Sequence, residues 1–353
     1  MKNQPSVCII ISNYNGNTAI YNGKDLLYSL FTSLKKTKYQ NYKIIMADDN
    51  STDKSAKYVK EKFPYVKIIR NKKNGGFSKN NNNAIKYAIK RYKSKYIVLL
   101  NNDIIITDSY WLSKLVETAE KDSKIGIVGC KLIYPNGRIQ HAGLVKANYA
   151  FANRSRGEVD RGQYDDIEKI IAVTFAVVLI KKRVLSKIGL LDENFFMGYE
   201  DADFCLRAIK QGFDVIYNGK IKLIHLEGFT STNSVKEETR WFMFFTRMRN
   251  YAYFSYKQLG FMQRIIGISI NILLGSFLTI EGPDRPRNLL SLRLNDNLTK
   301  RLFLACRAIH DGKKMFLTRH SGKSHIIYGQ SELIEKYLNK EERKVKNINK
   351  STL

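Results

Sequence analysis

Residues 42–53 read YKIIMADDNSTD, an apolar run that changes within one residue into carboxylates, an amide and hydroxyls. Tyr42–Ala47 has the continuous apolar character of a strand buried on both faces, and Asp48-Asp49-Asn50-Ser51-Thr52-Asp53 has the chemistry of a turn. Ser51 or Asp53 is suited to cap a helix over Lys54–Lys62. The same unit recurs on both sides. Upstream, VCIIISNYNG (7–16) is a strand run ending in a polar turn, followed by helical spacing over Asp25–Leu34. Downstream come a third strand at Val66–Arg70, a turn at Asn74-Gly75-Gly76 and a helix over Asn80–Lys93. YIVLLNND (96–103) is the fourth strand, again with a polar end. This alternation predicts an α/β fold: a mostly parallel sheet joined by right-handed crossovers, with helices on both faces. Such sheets bind ligands beyond the carboxyl ends of their strands, where three polar clusters fall here.

The pattern loosens after Ile125–Val128. Lys131–Ala142 reads as a hairpin turning at Pro135-Asn136-Gly137, residues 146–168 as a mobile polar loop, and Ile170–Ile180 as a strand. Asp201–Gln211 reads as a helix stopped by Gly212, followed by two strands, Val215–Tyr217 and Ile221–His225. Nine aromatics lie among Arg and Lys from Trp241 to Phe261, and an apolar segment, Ile265–Ile280, follows.

The 353 residues accommodate one large domain with an appendage, or two domains. With 44% hydrophobic and 12% aromatic residues, the chain is no disordered polycation. Four separated cysteines without a C-x-x-C pair exclude a cysteine zinc site and suit a reducing compartment. The amino terminus lacks the pattern of a secretory signal, and no clean apolar run is long enough for a confident membrane span. A net charge of +28 favours polyanions of any kind, whether nucleic acid, anionic lipid or a phosphorylated substrate. No zinc finger, RNA-recognition signature or helix-turn-helix spacing accompanies it, so nucleic acid is not expected.

Several clusters carry chemistry. Asp48 and its neighbours can accept from a nucleobase N–H, or simply form a capped turn. Asn101-x-Asp103 beyond a buried strand offers two oxygen ligands for a hard divalent cation, or a turn. Glu200-Asp201-x-Asp203 opens a helix, where a carboxylate can act as general base or serve the helix N-terminus. His225 ends a strand, as a ligand near a metal or as a structural histidine.

The ordered set SNYNG, ADDNSTDKS, NGGFSKNNN, LLNND, FFMGYEDADFCLR and IHLEG resembles family 2 glycosyltransferases of the GT-A fold, in their rhamnosyltransferase-like branch. The resemblance covers about residues 5–232. It implies nucleotide-sugar contacts at Asn13, Asp48, Asn74, Gly76 and Asn102. It also implies Mn2+ or Mg2+ at Asp103, with His225 nearby and Asn101 as a weaker ligand. Asp201 becomes the catalytic base with Glu200 beside it, and Asp203 faces the acceptor.

The function implied is inverting sugar transfer from a nucleotide-diphosphate-sugar donor to a hydroxyl of a glycan or lipid-linked acceptor. Rival readings are a nucleotidyltransferase acting on a sugar phosphate and a non-enzymatic polyanion-binding protein. The expected organisation is a catalytic domain over 1–232, with a nucleotide-sugar half to about 130 and an acceptor half over 131–232. A helical aromatic and basic region follows over 233–330, and a basic tail over 331–353. Arg285, Arg287, Arg293, Lys300 and Arg301 beside the aromatic segment suggest a peripheral contact with the cytoplasmic face of the cell membrane.

Overall fold

A computed structural model of the chain describes residues 4–17, 20–146, 151–227, 237–277 and 298–318. Ten strands form one sheet: β1 (Val7–Asn13), β2 (Tyr42–Asp48), β3 (Lys67–Arg70), β4 (Tyr96–Asn101), β5 (Ile104–Ile105), β6 (Ile125–Ile133), β7 (Ile139–His141), β8 (Ile167–Lys169), β9 (Val177–Lys181) and β10 (Asp214–His225). Across the sheet the order is β8-β10-β6-β9-β4-β1-β2-β3, with β5 on β10 and β7 on β6. β1 pairs in parallel with β2 and β4, and β2 with β3, which gives the expected parallel half. β9 runs antiparallel to both β4 and β6. That reversal leaves β6, and β10 parallel to it, pointing the same way as β1. Asn13, Asp48, Asn101 and His225 therefore end up along one edge of the sheet.

The helices are α1 (Leu26–Leu34), α2 (Ser55–Lys62), α3 (Gly76–Tyr87), α4 (Trp111–Glu120), α5 (Lys182–Ile188), α6 (Glu200–Lys210), α7 (Glu237–Gln258), α8 (Phe261–Phe277) and α9 (Leu298–Thr318). Strand alternation divides the core. Val7, Ile9 and Ile11 of β1 face a cluster with Leu27 and Phe31 of α1 and Leu115 of α4. Cys8 and Ile10 face the other cluster, with Ala84 of α3 and Phe204 of α6. Val7 to Ile11 are all buried, and each of the four aliphatic side chains among them contributes about 1.5–3 kcal/mol to stability.

Several elements depart from the sequence expectation. α3 begins at Gly76 rather than Asn80, because the Asp49 carboxylate accepts the N–H groups of Gly75 (2.8 Å) and Gly76 (2.7 Å) and anchors the first turn. A π-helical turn, Ala88–Tyr92, completes it. Lys54 rather than Ser51 or Asp53 precedes α2, although Asp53 accepts from Ser55 N–H at 2.9 Å. The two strands expected near 215–225 are one strand, β10, with an irregularity between Asn218 and Lys222. Only Val177–Lys181 of the Ile170–Ile180 run is a strand.

The described part of residues 146–168 is held by charges from outside it and within it. Lys131, fully buried, pairs with Asp160 (2.9 Å) and Asp165, Lys222 also pairs with Asp160 (2.5 Å), and Arg154 pairs with Glu168 (2.9 Å) inside the stretch. A polar stretch reads as a loop, yet two of its anchors are buried or half-buried lysines remote in sequence.

Much of the aromatic segment packs inside the protein. Phe244, Phe245, Tyr251, Tyr253 and Phe254 of α7 are buried against α9 and the 195–199 loop. Phe261 (65% exposed), Met262 (63%) and Ile265 (45%) of α8 stay open to solvent. Among the described residues no helix is long and apolar enough to cross a membrane. Arg285, Arg287, Arg293 and the 331–353 tail lie outside the described residues, as do the side chains of Lys300 and Arg301.

Candidate active site

At the end of β1 and β2, Asn13 and Asp48 meet. Asn13 Nδ2 donates to Asp48 Oδ1 (2.9 Å) and Ser51 Oγ (3.1 Å), and Asn102 Nδ2 donates to Asn13 Oδ1 (2.9 Å). Asp48 is fully buried, also takes the Ser51 hydroxyl, and lies 3.4 Å from Arg70 Nε. Its oxygens are thus occupied by protein donors, which shape the rim of the site. Asp49 performs the work that sequence reasoning passed over. Besides the two glycine N–H groups it takes Asn71 Nδ2 (2.7 Å). Burial pushes its carboxyl above the usual range, and these three donors offset only part of that.

Asn74 Oδ1 accepts from Gly76 N–H at 3.1 Å. Gly76 has φ +78°, and a Cβ there would lie 2.3 Å from the carbonyl oxygen of Phe196. Phe77 N–H donates to that same oxygen at 2.7 Å. Only glycine permits this approach, which joins the nucleotide half to the loop before α6.

Asn101 ends β4, its N–H donating to Ala176 O (2.9 Å), and Asp103 follows two residues later. β5 and β10 pair through His225 and Ile104, which brings Asp103 and His225 together across 122 residues. His225 Nε2 lies 3.1 Å from Asp103 Oδ1, which makes no other contact with a donor, and the ring's other nitrogen, Nδ1, is buried without a hydrogen-bond partner. Burial disfavours the imidazolium, but the Asp103 carboxylate outweighs it and holds the ring above its ordinary pKa. An unpartnered carboxylate oxygen facing an imidazole fits a divalent cation. Among the described residues no group of three or more His, Cys, Asp or Glu could hold a metal alone. Mn2+ or Mg2+ at this pair would take its remaining ligands from phosphate oxygens and water.

Beside His225, Glu227 collects Tyr134 Oη (2.9 Å), Gln140 Nε2 (2.9 Å) and Arg156 (2.7 Å). These residues also lay beyond sequence reasoning, although the IHLEG string contained Glu227.

Glu200, Asp201 and Asp203 stand in the first turn of α6, entered through Tyr199 at φ +73°. Burial raises the Glu200 carboxyl well above the usual range, with the neighbouring Asp201 adding to the effect, and Glu200 Oε2 has no hydrogen-bond partner. Burial likewise raises Asp201, restrained by the Ala202 N–H that its Oδ1 accepts at 2.7 Å. Two adjacent buried carboxyls disfavour a negative charge on both at once.

Asp203 does not face an acceptor. It is fully buried and its oxygens take Arg207 Nε (2.9 Å), Lys257 Nζ (3.0 Å) and Gln258 Nε2 (2.6 Å), so it fastens α6 to α7. α7 grips the preceding loop too. Asn250, fully buried, donates to the carbonyls of Met197 (3.0 Å) and Gly198 (3.2 Å), and the Tyr199 ring packs on Tyr251 and Phe254.

The profile described as Glycosyl transferase family 2 matches residues 8–188, and the chain belongs to that family. It is 29% identical over 227 residues to "O-antigen biosynthesis protein RfbC" of Myxococcus xanthus, a match covering 62% of this chain and 18% of that protein. It is 25% identical over 209 residues to "dTDP-rhamnosyl transferase RfbF" of Shigella flexneri, covering 57% of this chain and 64% of the relative. The chain thus spans about a fifth of the Myxococcus protein. Its fold is similar to that of a mannosyltransferase from Pyrobaculum calidifontis in complex with GDP-Man and Mn2+. The TM-score is 0.50 at 12% identity, covering 90% of this chain and 89% of the other. The architecture is the GT-A fold.

Proposed function

We propose that the chain is an inverting glycosyltransferase that moves a sugar from a nucleotide-diphosphate-sugar donor to a hydroxyl of a glycan or lipid-linked acceptor. The observation that carries this reading is the pair of carboxyls, Glu200 and Asp201, in the first turn of α6, behind a loop locked to the Gly76 turn by the Phe77 N–H bond to Phe196 O. Asp201 takes the proton of the attacking hydroxyl as the sugar–diphosphate bond breaks on the opposite side. Glu200, which burial and the neighbouring Asp201 push towards its protonated form, keeps a second negative charge away from the base.

Asn13, Asn74, Gly76 and Asn102 line the nucleotide-sugar end, with Asp48 and Asp49 bracing their loops. Asp103 and His225 would hold a divalent ion, whose chemistry is to offset charge on the departing diphosphate. The relatives' printed names, with O-antigen biosynthesis and dTDP-rhamnosyl transfer among them, support a sugar-nucleotide donor and an envelope glycan acceptor. The Mn2+ in the mannosyltransferase complex supports the metal. Membership of the family removes the polyanion-binding and nucleotidyltransferase readings.

Placement on the cytoplasmic face of the membrane rests on α8, whose Phe261, Met262 and Ile265 present an open apolar face, with Arg264 stacked on the Phe261 ring at 5.4 Å. The anomeric configuration of the transferred sugar, read by NMR with α-linked donors and short acceptor glycans, tests the mechanism. A β product is expected, and an α product would overturn inversion. The membrane contact is tested by flotation with anionic vesicles. The wild type should float, and Phe261→Ser with Met262→Ser and Ile265→Ser should not; equal flotation of both removes α8 from the membrane.

A further inference from the structure

A cavity of about 590 Å3 lies where β4 begins and β9 ends, lined by Lys95, Lys181, Lys182, Arg183, Ser186 and Lys187. β9 pairs antiparallel with β4, so Lys181 sits opposite Tyr96 while the catalytic edge lies at Asn101. Five strand residues separate the two edges, about 17 Å at 3.3–3.4 Å per residue. The cavity is therefore no part of the donor site.

Its lining holds five cations and no carboxylate. Lys95 is paired at the rim with Glu120 (3.1 Å). Among the described residues, Lys181, Lys182, Arg183 and Lys187 have no carboxylate within ion-pair distance. Lys181 is the telling member. It is 8% exposed, and its ammonium donates only to the Asp122 carbonyl at 3.2 Å, leaving two N–H donors without a protein acceptor. Burial, and then the neighbouring Arg183, hold that ammonium below its ordinary pKa, while the carboxylates of Glu120 and Asp122, beyond ion-pair distance, offset part of this. Five cationic side chains converge on one cavity, an arrangement suited to a compact oxyanion with several acceptor oxygens.

We propose that this cavity binds a phosphate group, as the free anion or as the phosphomonoester headgroup of a lipid, at a site separate from the donor diphosphate. Phosphate oxygens would take the free Lys181 donors, with Lys182, Arg183 and Lys187 closing around them.

Lysine footprinting of the full chain tests it, using an acetylating reagent read by mass spectrometry in phosphate against chloride at equal ionic strength. At a phosphate concentration ten times Kd, labelling of Lys95, Lys182 and Lys187 should slow about tenfold, from 1 + [L]/Kd. Lys57, 77% exposed on α2, should be unaffected. Vesicles containing phosphatidic acid, compared with phosphatidylcholine alone, show whether a lipid headgroup supplies the same group; protection by either source supports the site. Lys181→Met should remove the protection, whereas Asp103→Ala at the donor site should keep it. Equal labelling in phosphate, chloride and both vesicles overturns the proposal. So does protection that survives Lys181→Met, and the wild-type footprint decides even if that variant does not fold.

Discussion

Replacing Asp201 with Asn tests the base while preserving its shape. The amide is nearly isosteric and can still accept the Ala202 N–H, so fold and donor binding should persist. What disappears is the ability to accept a proton, which contributes about 10²–10⁴-fold to rate in general-base catalysis. The wild-type pH profile supplies an independent test. In the proposed mechanism Asp201 acts when deprotonated, and burial raises its pKa, so the acid limb of kcat/KM should lie above the ordinary aspartate range, with activity lost as pH falls through it. Glu200 is raised by burial and by Asp201, so Glu200→Gln removes a neighbouring carboxyl but should leave that acid limb in place. Initial rates of nucleoside diphosphate release between pH 4.5 and 9 provide the assay. An acid limb near 4, or near wild-type turnover in Asp201→Asn, would refute the assignment.

Asp103→Ala removes the anionic metal ligand, so calorimetric affinity for the nucleoside diphosphate should become the same with and without Mn2+; a retained Mn2+ dependence contradicts the site. Gly76→Ala forces a Cβ to within 2.3 Å of Phe196 O at φ +78°, with strain of order 1–3 kcal/mol, and should lower Tm. An unchanged Tm would mean that the contact with Phe196 is not held in solution. Asn250→Ala strips two carbonyls of the base-bearing loop of their buried donor, at about 1–3 kcal/mol. It should lower kcat while donor KM holds; a raised donor KM at constant kcat would place Asn250 outside the positioning of Asp201.

The nucleotide half was legible because each strand declares itself by an apolar run and its site by an abrupt polar end. Val7–Asn13, Tyr42–Asp48 and Tyr96–Asn101 are cases of local chemistry alone. The start of α3 was not legible, because Gly76 and Phe77 begin a helix only through the Asp49 carboxylate and the Phe196 carbonyl, both remote in sequence. Asp103 and His225 were each visible as candidates, but their approach depends on the pairing of β5 with β10, which no spacing encodes. Asp203 misled for the same reason that it matters. A first-turn carboxylate looks like its neighbours Glu200 and Asp201 until Lys257 and Gln258 arrive from α7. Composition alone left the aromatics of α7 undecided, since rings and arginines suit a headgroup boundary and a helix–helix core equally well.

The most direct test of the account is a thermal-shift panel of UDP, GDP and dTDP, each with and without Mn2+. One nucleoside diphosphate should stabilise the protein, by about 2.7 kcal/mol at one hundred times its Kd, when Mn2+ is present, and the shift should vanish in Asp103→Ala. If none of the three raises Tm in either condition, the chain does not bind a sugar-nucleotide at this site.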